Sequence, residues 1–459
     1  MFKKITNGCV RMINRWLPDP FIFAVILTIV VFIAAIFATK LPVLDIISAW
    51  GSAKGFWSLL SFSMQMALVL VFGSAMASSR PIKKLLRWIA SLAHNNFQAI
   101  FITAFISTIC CWLNWGFGLI VGALLAKEVV RRVPSVDYPL LIASAYSGFV
   151  IWHAGLSGSI PLALNSGYTI FAGQANEQTF NATTSLTIFH PMNLIMCGVI
   201  LIGMPFVLYA MHPHKDKVIT VDPAILQDEE EIKHKNDTPA DKMETSKILW
   251  GITCALCAVY IVYYFITQIQ AGKNIAAALD LNIVNFIFLT LGLIFHGSLR
   301  RYIDAIEEAA KGAAGILLQF PFYAGIMGMM TVANADGTSL ASVISDFFVR
   351  ISNQTTFPLL TFLSAGIVNF FVPSGGGQWA VQGPIVMPAA TAMGNEPGRA
   401  AMAIAWGDQW TNMVQPFWAL PALGVAKLSA RDIVGYLVII LVFTGLVACG
   451  GFLAWAAFF

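Results

Sequence analysis

The stretch NFFVPSGGGQWAVQGP, from Asn369 to Pro384, lies among apolar neighbours and contains a Pro-Ser followed by three glycines. Such a run breaks a helix, because Pro373 has no backbone N–H and Gly375, Gly376 and Gly377 have no Cβ to restrict the backbone. Inside a bilayer a break frees backbone N–H and C=O groups, each costing several kcal/mol when it faces lipid. The break therefore lines a cavity or holds a ligand. What surrounds it decides how the rest of the chain is read.

Hydrophobic residues fill 58% of the 459 positions and charged residues only 11%, against roughly 25% charged in a soluble domain. Apolar runs long enough to cross a bilayer core occur near 20–39, 56–78, 139–164, 185–211, 248–268, 281–297, 312–334, 399–424 and 432–456. Two further apolar segments, 97–126 and 358–392, are interrupted by NWGFG (Asn114–Gly118) and PSGGG (Pro373–Gly377) and read as re-entrant hairpins. This predicts an all-α polytopic membrane protein with about nine transmembrane helices and two re-entrant hairpins. With the N-terminus and the 212–247 loop in the cytoplasm, 22 of the 27 Lys and Arg residues fall on the cytoplasmic side, leaving Lys40, Lys54, Lys273, Arg350 and Arg399 outside. That is the positive-inside bias; it puts the C-terminus in the periplasm. The first span has no small-residue cleavage motif after it and reads as retained.

Other chemistries find little footing. Cys254 and Cys257 form a C-x-x-C within an apolar span, with no second pair nearby to complete a four-ligand zinc site. His212, His214 and His234 belong to the charged linker. The spans offer an isolated Asp408 and an isolated His153, without the paired groups that an enzyme needs. No cofactor, metal centre or nucleic-acid partner is indicated.

Sliding the sequence by 260 residues superposes one half on the other. Span 20–39 falls on 280–299 and 56–77 on 316–337; the amphipathic 78–93 falls on about 337–352. NWGFG falls beside PSGGG, and ASAYSGFVIWHAGLSGSIP (143–161) falls on AIAWGDQWTNMVQPFWALP (403–421). Span 248–268 has no counterpart, so the second half would lie upside down relative to the first. Inverted repeats with broken helices are typical of secondary transporters, whose sites lie near the midplane between the repeats.

Helix N-termini at the breaks would present N–H groups to an anion, and freed carbonyls near Gly116, Gly376 and Asp408 would ligate Na⁺. Candidate substrate or ion-binding residues are Asn114, Gly116 and Gly118 at one tip and Ser374, Gly375, Gly376, Gly377 and Gln378 at the other. Ser157, Gly158 and Ser159 come from the GLSGS break. Asp408, Thr411, Asn412 and Gln415 come from GDQWTNMVQP. Asp408, an acidic residue well inside a span, is a functional candidate by default; it would help ligate Na⁺ or carry a proton. Trp115, Phe117, Trp379, Trp410 and Trp418 would cover an apolar tail, or anchor at the interface.

RWLPDPFIFA (15–24), NWGFGLIVGALLAKEVVRRVP (114–134), DYPLLIASAYSGF (137–149), LSGSIPL (156–162), LQFPFYAGI (318–326), NFFVPSGGGQWAVQGPIVMPAA (369–390) and QWTNMVQPFWALPALG (409–424) closely resemble the bacterial short-chain fatty acid transporter family. The resemblance covers essentially the whole chain. It implies uptake of short-chain fatty acids such as butyrate or acetoacetate across the inner membrane. It also implies membership of a larger set of ion-coupled carriers that includes dicarboxylate and p-aminobenzoyl-glutamate transporters. Their architecture implies a homodimer whose scaffold holds a transport domain that slides as an elevator. The Ser-Asn-Thr tip signatures of the dicarboxylate carriers are replaced here by NWGFG and PSGGG.

The expectation is a secondary carrier coupled to Na⁺ or H⁺, with other small organic anions or a channel as alternatives. Its parts would be scaffold 1–96, transport repeat 97–211, cytoplasmic linker 212–247, linker helix and scaffold 248–353, and transport repeat 354–459.

Overall fold

The computed structural model describes residues 20–170, 177–221, 237–370, 372–415, 418–419, 423 and 426–459. Lys3, Lys4, Arg11, Arg15, His234, Pro416 and Pro421 lie outside these residues.

The chain opens with α1 (Pro20–Thr39), a short α2 (Val43–Gly51) and α3 (Leu60–Ala77). Next comes α4 (Arg80–Ala90), which buries Ile82, Leu86 and Ile89 while Arg80, Lys83, Lys84 and Arg87 stay exposed. That spacing gives one apolar and one charged face. The first hairpin is α5 (Asn96–Leu113) and α6 (Trp115–Arg132). α7 (Tyr138–Ser147) passes into a 3-10 stretch, Gly148–Ala154, and helix resumes as α8 (Ser159–Asn165). A small antiparallel pair, β1 (Tyr168–Ile170) and β2 (Gln178–Phe180), sets Tyr168 opposite Phe180.

α9 (Pro191–Ala210) leads to the linker, then α10 (Pro239–Glu244), α11 (Lys247–Gln270), α12 (Leu281–His296), α13 (Leu299–Ala310), α14 (Ala314–Thr331) and α15 (Leu340–Ile351). The second hairpin is α16 (Phe357–Asn369) and α17 (Gly375–Ala392). α18 (Pro397–Thr411), a 3-10 turn Asn412–Val414 and α19 (Ala430–Phe458) close the chain. α6 and α17 each run 18 residues, and both ends of α17 lie 260 positions beyond those of α6.

Among the described residues, seven helical runs are long and apolar enough to cross a membrane, and three shorter apolar helices accompany them. The chain is an integral membrane protein. α1 packs on α14 and α3 on α12; α3 also packs on α6, and α14 on α17. Thus each hairpin leans its second helix on a helix from outside the hairpins. Behind them α16 packs on α18, and α18 packs on the 3-10 stretch and α8.

Three details differ from the sequence reading. The β1–β2 pair and the amphipathic α13 were not expected: three-residue strands are too short for a period-two signal, and α13 runs nearly straight into an apolar helix. α18 carries Asp408 on regular helix, with the break beginning only at Asn412. Arg399 is buried in the first turns of α18, where its guanidinium donates to the Asn395 side chain and the Trp455 carbonyl.

Candidate functional site

The two hairpin tips are built alike. Asn114 caps α6, its Oδ1 accepting from the Phe117 N–H at 2.9 Å. Ser374 caps α17, its Oγ accepting from the Gly377 N–H at 3.4 Å. Ser157 anchors the first tip by accepting the Trp115 N–H at 2.9 Å. At the second tip a Cβ on Gly375 would fall 2.4 Å from His153 Cε1 and 2.8 Å from Ser159 Oγ. Only glycine lets this backbone rest on the imidazole.

Backbone groups released by the breaks are met by side chains, as a buried chain requires. Gln409 Oε1 accepts the His153 and Ala154 N–H groups at 2.8 and 3.1 Å. Asn369 Nδ2 donates to the Asp408 carbonyl at 2.6 Å and to Thr411 Oγ1 at 2.9 Å; Thr411 in turn donates to the Gly366 carbonyl. Gln415 Nε2 donates to the Asn369 carbonyl, and Tyr146 to the Asn412 carbonyl. Asn412 Oδ1 accepts from Trp152 Nε1 at 3.0 Å. Gln378 Nε2 donates to the Ala365 carbonyl and to Gln382 Oε1. Of the carbonyls near Asp408 that the sequence offered to Na⁺, that of Asp408 itself accepts from Asn369.

His153 and Asp408, isolated in the sequence, meet in the fold. They are fully buried, and His153 Nδ1 lies 2.7 Å from Asp408 Oδ2. The Ile160 N–H lies 3.1 Å from His153 Nε2, and Ser159 Oγ 2.9 Å from it. A backbone N–H can only donate, so Nε2 accepts and the ring proton sits on Nδ1, donated to Asp408. The ring is thus a neutral imidazole donating to Asp408 Oδ2. The second carboxylate oxygen, Oδ1, is buried without a partner among the described residues.

Between the tips lies a small cavity with an accessible volume of about 20 Å³, walled by Trp115, Phe149, Trp152 and Trp418, with Ser159 and Ser374 as its hydroxyl groups. Phe149 and Trp152 stack at 5.6 Å, and Trp115 meets Trp418 edge-on at 5.2 Å. A second cavity, about 280 Å³, lies between α3, the start of α12, Tyr168 and α17. Gly376 borders both, and a Cβ there would fall 2.6 Å from Phe62 and 2.9 Å from Phe320.

Of the expected aromatic residues, Trp115 and Trp418 face the small cavity. Trp379 lines the larger one against Tyr168. Phe117 packs on Phe288, and Trp410 packs on Phe362 while donating to the Leu441 carbonyl; neither lines a cavity described here. Gly118 serves packing within the first hairpin, against Cys111, as Gly116 does against Leu70 and Gly377 against Tyr323. Gly158 lies against the His153 carbonyl. The sequence reading missed Phe149 and Trp152 as cavity walls, and Asn369 as a bracing residue. Their signal was position alone: Phe149 a turn before His153, Trp152 next to it, and Asn369 at the helix end before PSGGG. Among the described residues no three His, Cys, Asp or Glu side chains group as metal ligands.

The model of the short-chain fatty acid transporter family matches residues 1–455. This chain belongs to that family. It is 44% identical over 451 residues to the Escherichia coli K12 protein named "Putative short-chain fatty acid transporter", covering 97% of this chain and 98% of that one. A Haemophilus influenzae protein of the same name is 43% identical over the same shares. Among solved structures, the fold of this short-chain fatty acid transporter family member is similar to the YdaH transporter of Alcanivorax borkumensis. That match has a TM-score of 0.56 at 13% identity and covers 96% of this chain and 98% of the other. Neisseria gonorrhoeae MtrF, described with a class of antimetabolite efflux pumps, matches with a TM-score of 0.51 at 14% identity, covering 99% and 97%.

Proposed function

We propose that this family member is a secondary carrier that takes short-chain carboxylates such as butyrate and acetoacetate across the bacterial inner membrane, coupled to Na⁺ or H⁺. The observation that carries the reading is the small cavity between the hairpin tips. A short-chain carboxylate has one charged end and a short apolar tail. The N–H groups opening α17, with Ser159 and Ser374, suit the charged end, and the four aromatic rings suit the tail. Among the described residues no cationic side chain lines either cavity, which disfavours a polyanion. In this state the cavity holds little more than one water. Withdrawal of the tip at Gly376 would join it to the larger cavity and admit a four-carbon acid.

The two capped hairpins, 260 residues apart, support an inverted repeat, with α11 as the unpaired crossing between its halves. The packing of α3 on α6 and of α14 on α17 suits a scaffold (residues 1–96 and 248–353) against which a transport domain (97–211 and 354–459) slides as an elevator. A homodimer joined through the scaffold, with the N-terminus and the 212–247 linker cytoplasmic, completes the proposal.

The test is uptake of labelled butyrate into proteoliposomes under an imposed Na⁺ or pH gradient. Protein-free liposomes are the control, since protonated butyrate crosses lipid unaided. Saturable uptake with counterflow supports the carrier. If neither gradient drives uptake above the control, the substrate assignment fails, and dicarboxylates and aromatic acids are the next to try.

A further inference from the structure

We infer that the His153–Asp408 pair is the proton-carrying site of this carrier, loading one proton on Asp408 Oδ1 for each carboxylate moved. The inference rests on the carrier reading above and names its coupling ion.

Three atoms of the pair can receive a proton, and the geometry separates them. Nε2 already accepts from the Ile160 N–H and lies beside Ser159 Oγ, while Oδ2 accepts from Nδ1. A proton on either forfeits a buried hydrogen bond, which costs the full desolvation of the group left behind. Oδ1 has no partner among the described residues, so a proton there displaces no hydrogen bond. The loaded pair is then a neutral imidazole donating to a neutral carboxylic acid. Proton balance is simple: a proton enters from water on one side onto Oδ1 and returns to water on the other, with no bond made or broken elsewhere.

Charge gives the coupling its direction. Unprotonated, the buried pair holds one negative charge, and burying a second, uncompensated one nearby is costly. A carboxylate entering beside an unprotonated pair would bring the site to two negative charges. With the proton loaded, the occupied site holds one, the same as the empty site. The loaded and empty domains then cross the membrane with equal charge. The cavity lies one hydrogen bond from the pair, because Ser159 both walls it and contacts Nε2.

The surroundings leave the role to this pair. The 3-10 turn, α8, α16 and α17, which pack around it, carry no titratable side chain. α5 brings Cys110 and Cys111, α7 Tyr138 and Tyr146, and α9 Cys197 and Tyr209. On α6, Lys127, Glu128, Arg131 and Arg132 occupy the end away from the tip. Arg399 opens α18, bonded to Asn395. Arg431 and Asp432 open α19, which also carries Tyr436 and Cys449. None of these is hydrogen-bonded to His153 or Asp408.

The experiment uses the full chain in proteoliposomes, comparing wild type with Asp408→Asn in two assays. One is exchange of labelled for unlabelled butyrate at equal pH; the other is the initial rate of net uptake with the outside acidic, minus protein-free liposomes. The expected result is that wild type does both, with net uptake indifferent to Na⁺ and to an imposed K⁺ diffusion potential. Asp408→Asn should lose the acceleration of net uptake by the pH gradient. Net uptake by Asp408→Asn that still accelerates with the pH gradient overturns the inference, as does wild-type net uptake that requires Na⁺ or follows the diffusion potential. The wild-type measurements decide the matter even if the variant fails to fold. Absence of butyrate exchange in wild type is a different result, and sinks the carrier reading itself.

Discussion

Asn114 and Ser374 hold the same backbone conformation, φ −156° and ψ 122° in one and φ −156° and ψ 118° in the other, each capping the second helix of its hairpin. Ser374 follows Asn114 by 260 residues, the offset at which the halves of the sequence align. The two caps are not equally tight, however. Asn114 accepts its N–H at 2.9 Å and Ser374 at 3.4 Å.

Asn114→Ala should therefore destabilise more than Ser374→Ala. Loss of a good N-cap costs about 1 kcal/mol, and a long bond has less to lose. Thermal unfolding in detergent would show the lower midpoint for Asn114→Ala; equal midpoints would contradict the ranking.

Gly375→Ala places a methyl group against His153 Cε1 and Ser159 Oγ. Both neighbours are held by hydrogen bonds and cannot yield cheaply. The hairpin tip should be displaced and butyrate exchange lost, with the protein still monodisperse. Gly198→Ala, where a Cβ meets nothing within 4 Å, is the control and should exchange as wild type does.

Removing either member of the buried pair has unequal consequences. His153→Ala leaves Asp408 buried without its donor, and losing a hydrogen bond to a charged group costs about 1.5–3 kcal/mol. Asp408→Asn keeps an oxygen that can accept from Nδ1 and removes the charge. Unfolding midpoints should thus fall far more for His153→Ala than for Asp408→Asn, and the reverse order would show that the carboxylate is otherwise compensated.

Chain length should be set by the aromatic wall. Phe149 stacks on Trp152 and borders the small cavity, so Phe149→Leu or Phe149→Ala makes room for a longer tail. Each methylene newly buried is worth about 0.8 kcal/mol, or roughly fourfold in affinity. Competition against labelled butyrate should rank hexanoate above butyrate in Phe149→Ala and not in wild type.

Much of this was legible in the sequence because membranes leave few choices. Apolar runs bounded α1, α11 and α12 almost to the residue, since crossing a bilayer demands a continuous apolar helix. Pro373 and three glycines marked the second hairpin break, and Asn114 with Gly116 and Gly118 the first, residues that interrupt or cap a helix. The pairing of His153 with Asp408 was not legible. They stand 255 positions apart, on segments whose patterns give no hint of which faces meet. Phe149 and Trp152 were hidden for a related reason: in a chain this rich in aromatic residues, only the 3-10 geometry of Gly148–Ala154 turns those two rings toward a cavity.

Gly376 stands in the doorway between two rooms, with Phe62 of α3 and Phe320 of α14 as its jambs. Neither ring belongs to the hairpin that carries the glycine. An airlock built this way needs no hinged lid, because the wall past which the tip would travel is also the seal. In the proposed cycle, opening the inner room and moving its contents would be a single displacement. Leakage would then require the two rings to part from a passing glycine, and trimming either of them would loosen the seal without touching the binding groups.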